Sequence, residues 1–494
     1  MKDFLKRHSF SLVLLLGFVL RIVDLTKRDF WFDEAFTGIS IKENLSEMFR
    51  IIIADIHPPL YYLAVKAFAA PFGYSVFGIR FFSLIFGILG IWMVYLLAKD
   101  FFGKKAALLA ALLTAISPFA IQYSQEGRMY SMFAFFIVLS AFLFLRALRK
   151  NSFSSALGWG LCWGLACLTH YLGILFAPVY YGLYLLEKVR TRKEIFSKII
   201  LPPSHLWWGG AVALLVFSPW LPNFVHHVGA SNLTWITPAK ISDLFFNLQI
   251  FLVGIPKGKY GGMPVPNDVY AFDSMTLFVL LVYAFSFIAY YLFRKMERKL
   301  LYQILTLGLG FMFVLYVLSL LGKHFLVARY ILPSAYFVFI LLGGWLALLK
   351  PRTTILIVAA YTLLILGIQP VPMNQGYGEL ARDIGSYGNA NFYALNSFDY
   401  ILAKYYLGPE RVVLYNIDWP TYDSSGWAAI GSEKLKMTDS FDHLKNDSRG
   451  YILYNTEVEW TERSDKSFGP EKFDLVKKYN NLEVYRSNPH TFFR

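Results

Sequence analysis

The sequence predicts a polytopic α-helical membrane protein of about eleven spans, followed by a small α/β domain outside the membrane. Three observations predict it. Hydrophobic residues make up 56% of the 494 and charged residues only 16%, where a soluble chain carries about a quarter. Apolar runs alternate with short loops rich in Lys and Arg. From about 371 onward the apolar runs stop and short β-rich segments take over. The chain therefore divides into a membrane domain, 1–370, and an outer domain, 371–494.

The formal net charge is +14. The basic residues sit between apolar runs and not along one face, so they read as loops retained on the cytoplasmic side; a nucleic-acid partner is excluded. The same charge also suits anionic lipid head groups, including phosphate-bearing carriers. The two cysteines, Cys162 and Cys167, share one apolar run. Five residues apart, they point to different sides of a helix and read as packing residues.

The first residues are basic (Lys2, Lys6, Arg7) and read as cytoplasmic; span one covers 9–25 and reads as uncleaved, since Arg21-Ile22-Val23-Asp24 stands where small residues would mark a cleavage site. An outer loop then carries Asp33-Glu34 among aromatics. Residues 41–72 are half-polar and read as amphipathic helices along the outer interface, with Pro58-Pro59 stopping one helix and opening the next. Spans two and three cover 76–98 and 106–121, separated by inner Lys99, Lys104 and Lys105. Span four, 129–145, leads to inner Arg146, Arg149 and Lys150. Spans five and six, 156–171 and 172–186, turn outside near His170-Tyr171 and lead to the most basic inner loop, 188–198.

Span seven is 205–222. The long outer loop 223–272 holds a second interfacial helix at 244–255 and a Gly/Pro/Lys flap through Gly262. Spans eight to eleven cover 273–293, 300–321, 331–349 and 353–370. This topology puts the N-terminus in the cytoplasm and the C-terminal domain outside a plasma membrane. In that domain, strands are expected at 391–395, 411–415 and 451–454, and a closing hairpin at 475–479 and 482–485 around Asn480-Asn481.

Four clusters fall on the outer side under this topology: Asp33-Glu34, Asp55-Ile56-His57-Pro58-Pro59, Gln125-Glu126-Gly127-Arg128-Met129-Tyr130, and Arg329-Tyr330. Ionised groups are costly near hydrocarbon, so such clusters are functional candidates, and helix packing is expected to gather them at one outward-facing cavity. One well-placed carboxylate can take a proton from an acceptor. A phosphate leaving group needs no general acid, only cations to hold its charge, and Arg suits phosphate best. Asp33 with Arg128, Arg329 and His57 fits transfer from a phosphate-linked donor; a glycoside hydrolase would want two opposed carboxylates. Each residue also has a plain structural reading: Arg128 pairing with Glu126, Arg329 snorkelling, His57 opening a helix, Tyr61-Tyr62 forming an aromatic belt. His170, His226 and His227 read as structural or interfacial. No spacing requires a metal, although a divalent ion beside Asp33, Glu34 and Asp55 stays open.

The series Leu20-Arg21, Trp31-Phe32-Asp33-Glu34, Asp55-Ile56-His57-Pro58-Pro59-Leu60-Tyr61-Tyr62, and Ser117-Pro118 through Tyr130 resembles the family 39 glycosyltransferases, which are related to protein O-mannosyltransferases and lipid A aminoarabinose transferases. The match is strong over 10–150 and weaker through Arg329-Tyr330-Ile331-Leu332-Pro333. The resemblance implies the GT-C fold and an inverting sugar transfer from a polyprenyl-phosphate carrier at the outer membrane face. It places the acidic motif on Asp33 and Glu34, with Asp33 as base, and the His-Pro-Pro signature on His57, Pro58 and Pro59. Some relatives carry Lys where His57 stands. In this reading His57, Arg128, Arg329 and Tyr330 bind the donor phosphate, and Asp55, Pro58, Pro59, Gln125, Glu126 and Tyr130 are supporting residues. The acceptor is a glycan, a lipid or a protein, and the resemblance does not choose among them. Two other classes compete: a lipid-linked sugar flippase, which would show paired repeats and midplane charges, and a non-catalytic membrane subunit.

Overall fold

A computed structural model describes residues 2–188, 203–230, 236, 238–254, 287–288, 290–367, 375–416, 430, 435–437, 450–456 and 473–487. The basic inner loop 189–198, the flap through Gly262 and most of span eight lie outside these residues. The chain forms two compact units. The first joins Met1–Val23 to Arg80–Val371, and the second joins Asp24–Ile79 to Pro372–Arg494.

The first unit is helical and polytopic. Among the described residues, five helices are long and apolar enough to cross a membrane: Val76–Ile116, Tyr130–Lys150, Ser204–Val228, Arg298–Leu320 and Ala328–Leu348. The first of these is two helices joined at Gly103, whose backbone is non-helical (φ 81, ψ −179). That break falls between Lys99 and Lys104-Lys105, where the sequence puts an inner turn. Shorter apolar helices include Phe153–Thr169 and Pro351–Leu366. Small residues let the helices approach closely: a Cβ on Gly160 would lie 1.9 Å from the carbonyl oxygen of Gly209.

Polar side chains join helix ends in two places. Arg149 donates to Asp100 (2.6 Å) and Gln303 (2.9 Å), and Glu187 accepts from Gln303 (2.6 Å) and Lys299 (2.8 Å). These residues stand at the loops read as cytoplasmic. At the other end, Arg21 in helix Lys2–Ile22 is fully buried. It donates to the carbonyls of Gly17 (3.1 Å), Ala115 (2.9 Å) and Thr114 (3.1 Å) and to Ser124 Oγ (3.0 Å). Thr114 and Ala115 belong to the last turn of the helix ending at Ile116, whose carbonyls have no partner within the helix. A side chain from another helix thus supplies the donors.

Helix Ile241–Val253, expected along the interface, is seated in the bundle. Asn247, Gln249 and Phe251 are buried. The carbonyl of Phe251 accepts from Ser117 Oγ (3.1 Å), and that of Leu252 from Tyr361 Oη (2.7 Å).

In the second unit, a six-stranded sheet has the order β3-β2-β1-β4-β6-β5. The strands are β1 Asn391–Ala394, β2 Val412–Asn416, β3 Leu435–Met437, β4 Gly450–Asn455, β5 Phe473–Tyr479 and β6 Leu482–Ser487. The first four in that order are parallel, while β4–β6 and β5–β6 are antiparallel. Helix Ser397–Leu407 makes the crossover from β1 to β2. The hairpin turns at Asn480, whose φ of 51 suits Asn. Strand β3, three residues long, carries too short a pattern to be found by alternation. Helices Phe32–Lys42, Leu45–Ala54 and Leu60–Ala69 belong to this unit. The last two fall within the expected amphipathic stretch 41–72, with Pro58-Pro59 between them.

Two expectations are corrected here. Asp33 and Glu34 are not in an open loop: the helix starts at Phe32 and both acids lie in its first turn, where the exposed N–H groups and helix dipole favour negative charge. Tyr61 and Tyr62 are not an exposed belt. Both are fully buried, and Tyr62 meets Phe36 edge-on at 6.4 Å.

Candidate active site

The candidate residues fall into two sets, one in each unit. In the second unit, Trp31 precedes the acidic helix in extended conformation (φ −91, ψ 175). Its N–H donates to Glu34 at 3.4 Å. Glu34 is 1% exposed, while Asp33 is half-buried. Glu34 therefore caps its own helix, and Asp33 is the acid with access. Asp55 follows helix Leu45–Ala54 and meets His57 Nδ1 at 2.8 Å. Pro58 and Pro59 are buried, and the helix after them begins at Leu60. The Asp55 contact fixes the imidazole's orientation, so His57 does more than open a helix.

In the first unit, Ser117 caps the short helix Pro118–Ser124 by accepting from the Ala120 N–H. Residues 125–129 then turn into helix Tyr130–Lys150. Gln125 Nε2 donates to the carbonyls of Arg21 (3.0 Å) and Val23 (2.8 Å), which holds this turn to the first helix. Glu126 and Tyr130 are buried, and Arg128 is 1% exposed. Arg329 lies in a 3-10 turn, Ala328–Ile331, is 7% exposed, and is followed by buried Tyr330. A snorkelling residue would be exposed at its head group; Arg329 is not. The Arg128 and Arg329 segments meet through their tyrosines, whose rings lie 6.2 Å apart. His170 packs on Tyr330 at 4.9 Å, and its Nδ1 accepts from the Leu172 N–H at 3.3 Å. That contact makes His170 the N-cap of the 3-10 turn Tyr171–Phe176, a structural role. His227 Nδ1 meets Tyr171 Oη at 2.7 Å.

One residue of interest was missed. Arg80 is 2% exposed, in the helix that also carries Ser83. Ser83 Oγ donates to the carbonyl of Arg128 at 3.2 Å. Arg80 and Ser83, three apart, share a helix face, so a third arginine lies on the face turned to the Arg128 turn. The signal was available: Arg80 is a charge inside an apolar run. Among the described residues, no group of three or more His, Cys, Asp or Glu could hold a metal ion.

Comparison with known proteins bears on this arrangement. Residues 56–222 match the family model described as dolichyl-phosphate-mannose-protein mannosyltransferase. Over 97% of its length the chain superposes on ArnT from Cupriavidus metallidurans bound to undecaprenyl phosphate, covering 98% of that chain with a TM-score of 0.65 at 15% identity. The chain shares the fold of ArnT. A second structure, the archaeal oligosaccharyltransferase AglB from Archaeoglobus fulgidus in complex with an inhibitory peptide and a dolichol-phosphate, matches with a TM-score of 0.51 at 16% identity, covering 98% of this chain and 75% of that one. YkcB of Bacillus subtilis (strain 168), assigned as a mannosyltransferase, is 26% identical over 216 residues, 42% of this chain. That alignment spans 29% of YkcB, under a third of its length.

Proposed function

We propose that the chain is a membrane glycosyltransferase that moves a sugar from a polyprenyl-phosphate donor to an acceptor hydroxyl, inverting the anomeric carbon. Asp33 takes the hydroxyl proton. The acceptor oxygen forms a bond to the anomeric carbon as the carbon–oxygen bond to phosphate breaks, and the polyprenyl phosphate leaves with that electron pair. Arg128 and Arg329, aided by Arg80 and His57, hold the phosphate charge, which no general acid then needs to neutralise. Glu34 and Asp55 hold the helix start and His57, and Gln125, Glu126, Tyr130 and Tyr330 shape the phosphate side. The observation that carries the reading is the pair of buried arginines on segments that meet through Tyr130 and Tyr330. Two cations in low dielectric suit an anion and little else.

About eleven spans, a cytoplasmic N-terminus and an extracytoplasmic C-terminal domain complete the proposal. The sugar, whether mannose or another hexose, pentose or amino sugar, is read from turnover. Purified protein in lipid is given a panel of polyprenyl-phosphate sugars with host membrane extract. Consumption of one donor with release of polyprenyl phosphate is expected. If folded protein consumes none of them, with or without divalent metal, the transporter and subunit readings gain. A narrower result is expected for Arg80→Gln: kcat/KM for the donor falls by about ten-fold or more. An unchanged value would leave Arg80 a structural residue.

A further inference from the structure

Residues 29–42 carry the proposed base, yet much of what holds them comes from a part of the chain over 340 residues away. Both carboxylate oxygens of Asp29 accept backbone amides from the C-terminal segment: Oδ2 from Gly376 (2.8 Å) and Oδ1 from Gly378 (3.1 Å). The fit leaves no room for side chains there. A Cβ on Gly378 would lie 2.5 Å from Asp29 Oδ1, and Gly376 has φ +96. The next residue, Phe30, donates its N–H to Tyr406 Oη at 2.8 Å. Its fully buried ring lies 4.8 Å from that of Tyr405. Phe32 stacks on Phe398 at 5.6 Å and 14°.

Further along the acidic helix, a Cβ on Gly38 would meet the Tyr405 ring at 2.5 Å, so the two helices touch at that turn. Lys42 Nζ sits 4.0 Å above the same ring, and burial pulls its pKa below the ordinary value. Tyr405 Oη donates to the carbonyl of Tyr74 at 3.0 Å. The segment is thus gripped before Asp33, beside it and one helix length after it, in each case by helix Ser397–Leu407 or by residues 376–378.

We propose that Asp29 and Tyr406 are positioning residues for Asp33, and that the C-terminal α/β unit serves the reaction by fixing the base. The inference rests on Asp33 being the base. Asp29 is unsuited to that role itself, because both its oxygens already accept amide protons. A general base must stand within hydrogen-bond reach of the proton it removes. A displacement of about 1 Å caused by a remote substitution can cost about 100-fold in rate. Asp33 follows Asp29 by four residues and Phe30 by three, so a shift at either anchor passes directly to it.

The test uses the full chain in lipid, with Asp29→Asn and Tyr406→Phe, each alone and combined with Asp33→Asn. For the donor that wild type consumes, kcat is expected to fall about 10- to 100-fold with donor KM within about two-fold. Amide exchange over residues 30–42 is expected to accelerate, and the variants should add no further loss in the Asp33→Asn background. Unchanged kcat with unchanged exchange overturns the proposal. So does a rise in KM alone, or the same fractional loss with Asp33 already replaced. Should Asp29→Asn fail to fold, Tyr406→Phe, which removes one hydroxyl, decides. If wild type consumes no donor, the glycosyltransferase reading falls, but exchange over 30–42 still shows whether these residues hold the helix.

Discussion

Replacing Asp33 by Asn is expected to cut sugar transfer by about 10²–10⁴-fold, the range a positioned general base contributes. Asn keeps the size of the side chain and its place in the first helical turn, so folding should be retained. What it loses is the ability to accept the hydroxyl proton. The loss should fall on kcat, because the proposed mechanism gives the donor phosphate to other residues. Glu34→Gln provides the contrast. Glu34 is buried and accepts the Trp31 N–H, and Gln can still accept that bond, so a loss of under ten-fold is expected. The measurement is release of polyprenyl phosphate by the two variants side by side. A larger loss in Glu34→Gln than in Asp33→Asn would exchange their roles.

Replacing Arg21 by Met is expected to give the largest loss of stability, about 3 kcal/mol. Met is apolar and of similar length, so little cavity forms. The cost arises because Thr114 and Ala115 at the end of one helix, and Ser124 in the next, lose their donor. Each buried acceptor left unmatched costs about 1–3 kcal/mol, though side-chain bonds inside membranes average nearer 0.6 kcal/mol. Arg21→Lys, with one ammonium in place of a planar fork, should recover only part of the loss. Thermal unfolding in one detergent measures both. A change below about 0.5 kcal/mol in Arg21→Met would place it among ordinary surface substitutions and remove the network's importance.

The helices of the first unit were legible because membrane insertion writes itself into sequence as long apolar runs with basic flanks. Val76–Ile116 with its break at Gly103, Arg298–Leu320 and Leu332–Leu348 lie close to where hydropathy places them. The helix opening after Pro58-Pro59 was equally plain, since proline stops one helix and tolerates the start of another. The resemblance to GT-C proteins rested on the same local motifs. The candidate acids and arginines could be named because charge beside hydrocarbon is rare.

Burial and partnership were not legible, because they depend on which distant segments meet. Asp33 and Glu34 are adjacent and chemically alike, yet one is half-buried and the other is buried and caps its own helix. Arg21 and Arg80 look like costly interruptions of apolar runs until the carbonyls of Thr114 and Ala115 and the turn at Arg128 come beside them. Tyr61 and Tyr62 have the composition of an interfacial belt but fill a core. Local sequence carries periodicity, breakers and charge, and these specify spans and name the groups able to do chemistry. The pairing of Asp29 with Gly376 and Gly378, or of Phe30 with Tyr406, is a contact between residues far apart in the chain. No local pattern encodes it. It exists only once burial of both segments makes the unmatched alternatives more costly than the pair.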